Sequence, residues 1–82
     1  MNYMIAGMKQ THSEIDFEIY YGKNGNMYEV TCAWTENGER QYKSVNCELA
    51  EATARYLKLA EAIISGSYSL ADRIKILMGE IK

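Results

Sequence analysis

EIDFEIYYGKNGNMYEVTCAWT, residues 14–35, decides the fold. In its first eight residues Ile15, Phe17, Ile19 and Tyr21 alternate with Glu14, Asp16, Glu18 and Tyr20, the period of a half-buried strand. Asn24-Gly25 then suits the two left-handed positions of a type I′ turn, and residues 27–35 form a second strand. With Asn24-Gly25 as a two-residue loop, Tyr21 faces Tyr28, Ile19 faces Val30, Phe17 faces Cys32 and Ile15 faces Trp34. Apolar meets apolar at every step, which supports the hairpin.

A second Asn-Gly at Asn37-Gly38 returns the chain into a third strand over residues 40–46, with Val30 opposite Val45 and Tyr28 opposite Cys47. Glu36 and Glu39 meet across this turn. Residues 48–64 read as a helix, capped by Asn46 or Cys47 and carrying Glu48 and Glu51 in its positive first turn. Its apolar arc takes in Leu49, Ala52, Thr53, Tyr56, Leu57, Leu59, Ala60, Ile63 and Ile64, broad enough to want two neighbours. Gly66 stops it. Ser69 and Asp72 open a second helix, in which Leu70, Ile74, Leu77 and Ile81 share a face. Arg55, Lys58, Arg73, Lys75 and Lys82 read as solvated positions among the acids of these helices.

The expected fold class is therefore α+β: a three-stranded antiparallel meander followed by two C-terminal helices packed on one sheet face. One domain spans residues 1–82, with the meander over 14–46 and the helical hairpin over 47–82. Residues 1–13 are open between a fourth, edge strand, a turn of helix and a loose tail.

Composition narrows the function. No apolar run is long enough to cross a bilayer, and the start MNYMIAGMKQ lacks the basic residues and apolar length of a signal peptide, so a cytoplasmic location is expected. Cys32 and Cys47 are the only cysteines and are expected to be buried thiols, four residues out of register and beyond disulfide reach. A metal centre needs convergent donors, and the chain offers a single histidine, His12, beside Ser13. No nucleophile is paired with a base, and the glycines of the hairpins lead into no helix N-terminus that would hold a phosphate. No catalytic residue, metal or cofactor is expected, and the protein is read as a non-enzyme.

Nine lysines and arginines against eleven acids leave a net charge of −2. That small value hides a split: residues 11–39 hold six acids against Lys23, whereas residues 40–82 are mildly basic. On the outer face of the sheet, Asp16, Glu18 and Glu29 lie with Tyr20 and Tyr42, a mixture suited to a protein partner with a basic surface. Direct nucleic-acid binding is disfavoured by those carboxylates. A homodimer is a further expectation, because the third strand is left as an edge and the helical arc is wide.

In size, acidity and build, a short meander followed by helices, the chain resembles phage-encoded inhibitors of the anti-CRISPR kind, over its whole length and without a shared motif. That resemblance implies inhibition by occupying a protein's nucleic-acid groove, with Asp16, Glu18 and Glu29 as the carboxylates concerned. The stretch NMYEVTCAWTENGERQYKSV, residues 26–45, also resembles the strand-turn-strand of small sheet-reading domains at the front of some tyrosine integrases. This implies the alternative of a DNA-binding or regulatory module. Those domains present a basic sheet, and here Arg40 stands among acids on the outer face.

Overall fold

In a computed structural model that describes residues 2–10 and 16–81, four antiparallel strands in the order β1-β2-β3-β4 are followed by two helices. The strands are β1 (Tyr3–Lys9), β2 (Phe17–Asn24), β3 (Met27–Glu36) and β4 (Glu39–Cys47); the helices are α1 (Leu49–Ser65) and α2 (Leu70–Leu77). Both helices pack on one face of the sheet, α1 chiefly across β2, β3 and β4 and α2 across β3. The fold class is α+β, as the sequence implies.

The second hairpin has the expected register: Val30 pairs with Val45, Tyr28 with Cys47, and Glu36 with Glu39. Asn37 and Gly38 are both left-handed, at φ 53° and 80°. The first hairpin differs. Its loop is Gly25-Asn26 rather than Asn24-Gly25, so Tyr21 faces Val30, Ile19 faces Cys32 and Phe17 faces Trp34. Here Gly25 alone is left-handed, at φ 64°, and takes the first loop position, where glycine carries no Cβ penalty. The Asn2 side chain accepts from the Gly25 N–H at 2.5 Å, which ties the N-terminus to this turn. A slip of two residues keeps every side chain on its face, so the core composition survives. Phe17 thus takes the place opposite Trp34 that the sequence assigns to Ile15, while Ile15 itself, like Glu14, His12 and Ser13, lies outside the described residues.

The N-terminal segment is a strand, and it pairs with β2. It does not cover the edge of β4, which the sequence left in need of cover. Ile5 is the extra residue of a β-bulge between Met4↔Gly22 and Ala6↔Tyr21, after which Ala6 and Met8 turn inward against the core.

Phe17, Ile19, Val30, Cys32, Leu59, Ile76 and Leu77 form the fully buried centre. Around Tyr21 a small aromatic cluster gathers Tyr28 edge-on at 6.2 Å and Tyr56 at 5.4 Å between ring centroids, and the Tyr21 hydroxyl meets Thr53 Oγ1 at 2.7 Å. Cys32 and Cys47 are free, buried thiols, as expected.

The helices bring corrections. Glu48, extended at the N-cap, makes no side-chain capping bond, so neither Asn46 nor Cys47 caps α1. Leu49, Leu57 and Ile64, placed in the apolar arc, are 52%, 60% and 76% exposed, because the sheet and α2 occupy only the rest of that arc. Arg73, expected in solvent, is 1% exposed. Its guanidinium donates to the Gln10 side-chain oxygen, to the Ser67 carbonyl at 3.1 Å and to the Ala62 carbonyl at 3.4 Å, and sits 4.9 Å above the centroid of the Phe17 ring. It thus supplies donors at the negative C-terminal end of α1 while joining α2 to the end of β1. Burial lowers its pKa from the usual guanidinium value.

Two sequence signals at the helix ends hold. Gly66 is left-handed at φ 68° and its N–H returns to the Ile63 carbonyl, while Ser69 Oγ accepts from the Asp72 N–H at 3.2 Å. The second helix stops at Leu77, however, and Ile81 packs against the core from beyond its end. Arg55 is likewise not simply solvated: it donates to the Leu77 carbonyl at 3.1 Å and pairs with Glu51 at 3.3 Å.

Candidate functional site

With the helices on one face, the other face of the sheet has no helical cover. Antiparallel pairing sets side chains on it in rows: Thr35 with Arg40 beside Asp16; Lys9, Glu18, Ala33 and Tyr42; Gly7, Tyr20, Thr31 and Ser44; and Gly22, Glu29 and Asn46. Each expected site residue is therefore on this face. They are not all together. Asp16, Glu18, Tyr20 and Tyr42 occupy neighbouring rows, whereas Glu29 lies two rows from Glu18, about 13 Å along the sheet at strand rise.

Arg40 organises the cluster. One guanidinium nitrogen donates to Asp16 Oδ2 at 3.0 Å and to Thr35 Oγ1 at 3.2 Å, and the other forms an ion pair with Glu18. Thr35 donates in turn to Asp16 at 3.2 Å, and the Tyr20 hydroxyl donates to Glu18. Ala33 lies beneath these long side chains with no exposure at all, although no helix crosses it. Tyr42 stands at 67% exposure beside the network. In the next row Thr31 and Ser44 share a hydrogen bond of 2.7 Å.

The electrostatics follow from this closed network. Tyr20 has its pKa raised, first by its hydrogen bond to Glu18, then by desolvation and by the charge of that carboxylate. For Arg40 desolvation acts downward, but a hydrogen bond with Tyr42 and the charges of Asp16 and Glu18 outweigh it, and the pKa is raised. Both groups keep their ordinary neutral-pH forms. The face is therefore less acidic than its three carboxylates imply, because Arg40 engages two of them and Lys9, brought in by β1, stands opposite Glu18.

Among the described residues no group of three or more His, Cys, Asp or Glu side chains is arranged to hold a metal ion. Burial pushes the Cys32 thiol up to about 12, so it stays protonated and poorly nucleophilic at neutral pH. A cleft of about 160 Å³ lies between α1 and the turn after α2, bordered by Arg55, Lys58, Ile76 and Ile81. It is small for a cofactor, and its cations are engaged, Arg55 by Glu51 and the Leu77 carbonyl and Lys58 over the Tyr68 ring. Among the described residues no helix is long and apolar enough to cross a membrane.

These features define a small α+β domain with one uncovered, network-bearing sheet face. No family model, curated protein or solved structure matches the chain.

Proposed function

We propose that this protein is a non-enzymatic binding module that docks its uncovered sheet face on a partner protein with a basic, nucleic-acid-binding surface, and that it acts as an inhibitor of that partner in the anti-CRISPR manner. The observation that carries this reading is the gathering of Asp16, Glu18, Tyr20 and exposed Tyr42 around Arg40 on a face without helical cover. Side chains already fixed by hydrogen bonds lose little freedom on docking, and tyrosine offers apolar area together with a polar tip. A cationic partner surface can share the carboxylates that Arg40 holds in place, while phosphate would meet Asp16, Glu18 and Glu29. Arg40 and Lys9 temper that repulsion without reversing it.

The test is capture of partners by the immobilised protein from a bacterial lysate, at low and raised salt, beside Tyr42→Ala and the triple change of Asp16, Glu18 and Glu29 to Ala. A specific protein, retained by the parent and lost by both variants, supports the reading. Retention of DNA that the triple variant leaves intact or strengthens overturns it in favour of a DNA-binding module.

A further inference from the structure

Helix α1 has three sides with different fates. Ala52, Tyr56, Leu59 and Ile63 are buried toward the sheet, and Arg55 and Ala62 meet α2 through the Leu77 carbonyl and the Arg73 guanidinium. On the third side, away from α2, Ala50, Thr53, Leu57, Ala60 and Ile64 follow one another at alternating spacings of three and four residues. That is the spacing of a helix-pairing seam. Leu57 and Ile64 are 60% and 76% exposed, Ala50 is exposed, and Thr53 and Ala60 are partly or largely covered. The hydrogen bond of Thr53 to Tyr21 places this flank over β2, so that it looks toward β1, where Tyr3 and Ile5 are 58% and 49% exposed.

We infer that this flank is the interface of a two-fold symmetric homodimer, in which α1 packs antiparallel against α1 of a second copy with Leu57 on the axis. Self-complementarity carries the inference. A two-fold at Leu57 sets each Ile64, the most exposed large residue, against Ala50 of the other copy, so the largest knob meets the smallest residue of the seam. Charge agrees. Within α1, Glu61 is the sole ionisable residue bordering the seam; the axis sets each Glu61 near Thr53 and Ala54 of the other copy, with the two carboxylate positions about 12 Å apart along the helices. No like charges are brought into contact. Area agrees as well: Leu49, Leu57, Ile64 and the small residues between them present roughly 500 Å², already near the largest apolar patch of a monomer. Tyr3 and Ile5 extend this toward the roughly 800 Å² per partner that a stable dimer buries. The uncovered sheet face takes no part, so the dimer would offer two docking faces.

Sedimentation or light scattering of the native chain across the micromolar range tests this first. The expected mass is twice the 9.4 kDa chain, falling to one chain on dilution. Leu57→Glu is expected to be monomeric with an unchanged circular dichroism spectrum. Leu57→Cys keeps the protein free of a new charge, and because Cys32 and Cys47 are buried it offers the accessible thiol; it is expected to oxidise readily to a covalent dimer, which Lys75→Cys does not. A native chain that stays monomeric overturns the inference, as does a native dimer that Leu57→Glu leaves intact or in which Leu57→Cys fails to cross-link.

Discussion

Arg73 is the residue whose replacement should cost most. Its guanidinium is buried and donates to Gln10, Ser67 and Ala62 over the face of Phe17, so it joins β1, the C-terminal end of α1 and α2 at one point. Arg73→Ala removes these donors together and leaves a cavity against Phe17. The buried Gln10 amide oxygen then lacks its partner and the Ala62 carbonyl keeps only the Ser65 hydroxyl at 3.5 Å, whereas Ser67 is exposed and its carbonyl can turn to water; each buried loss carries about 1–3 kcal/mol. The terms overlap, so their sum overstates the effect; the expected destabilisation is about 3–5 kcal/mol. That is a large share of the ~5–15 kcal/mol available to a domain, and less in one so short. Arg73→Met keeps most of the volume and removes the cost of burying a charge, so it should lose about half as much. Urea titration followed by Trp34 fluorescence and by far-ultraviolet circular dichroism measures both. A shift of less than about 0.5 kcal/mol for Arg73→Ala would show that the guanidinium does not hold these elements together.

Other perturbations separate local from shared effects. Gly66 and Gly79 are both left-handed, at φ 68° and 80°, but a Cβ at Gly66 meets open space while one at Gly79 would stand 2.5 Å from Arg55 Nη2. Gly66→Ala should therefore cost about 1–2 kcal/mol, and Gly79→Ala more in the same denaturation assay, since Arg55 must leave the Leu77 carbonyl. Ser69→Ala removes the cap on the Asp72 N–H and should cost about 1 kcal/mol, read as an earlier unfolding midpoint. Stability should fall in alkali. The folded pKa of Cys32 is raised from 9.0 to about 12, and those of Tyr20 and Tyr56 are raised above 10.0, so the unfolded chain releases protons first and stability present below about pH 9 is lost as pH rises through the folded values. Cys32→Ala should flatten that decline, measured as the urea midpoint against pH.

The meander was legible because two Asn-Gly pairs punctuate alternating runs, and alternation survives a register error of two. The loop position itself was not, since one glycine serves either as first or second loop residue and the choice depends on how far β2 and β3 continue to pair. β1 was hidden by its own bulge: at Ile5 the two-residue period breaks, so Tyr3 to Lys9 shows no clean alternation. The burial of Arg73 is not legible, because a charge in a helical pattern signals solvent and the acceptors that reverse this come from residues 10, 62 and 67, far from one another or from Arg73 in sequence. On the outer face the register read from the sequence sets Arg40 and Thr35 opposite Glu14, with Asp16 one row and Glu18 two rows away; the two-residue slip brings Asp16 beside Thr35 and Arg40 and Glu18 into the next row, where one guanidinium is shared between them. Lys9 could be placed there only once β1 was known.

The affinity of the captured partner for the parent protein, Tyr42→Ala and Leu57→Glu reports most directly on whether the uncovered sheet face does the binding. Tyr42, exposed beside the Arg40 network, is positioned as an anchor, and its truncation is expected to weaken binding about tenfold or more, while Leu57→Glu, on the helical side, should leave the affinity per chain unchanged. A partner indifferent to Tyr42→Ala but released by Leu57→Glu would contradict the account.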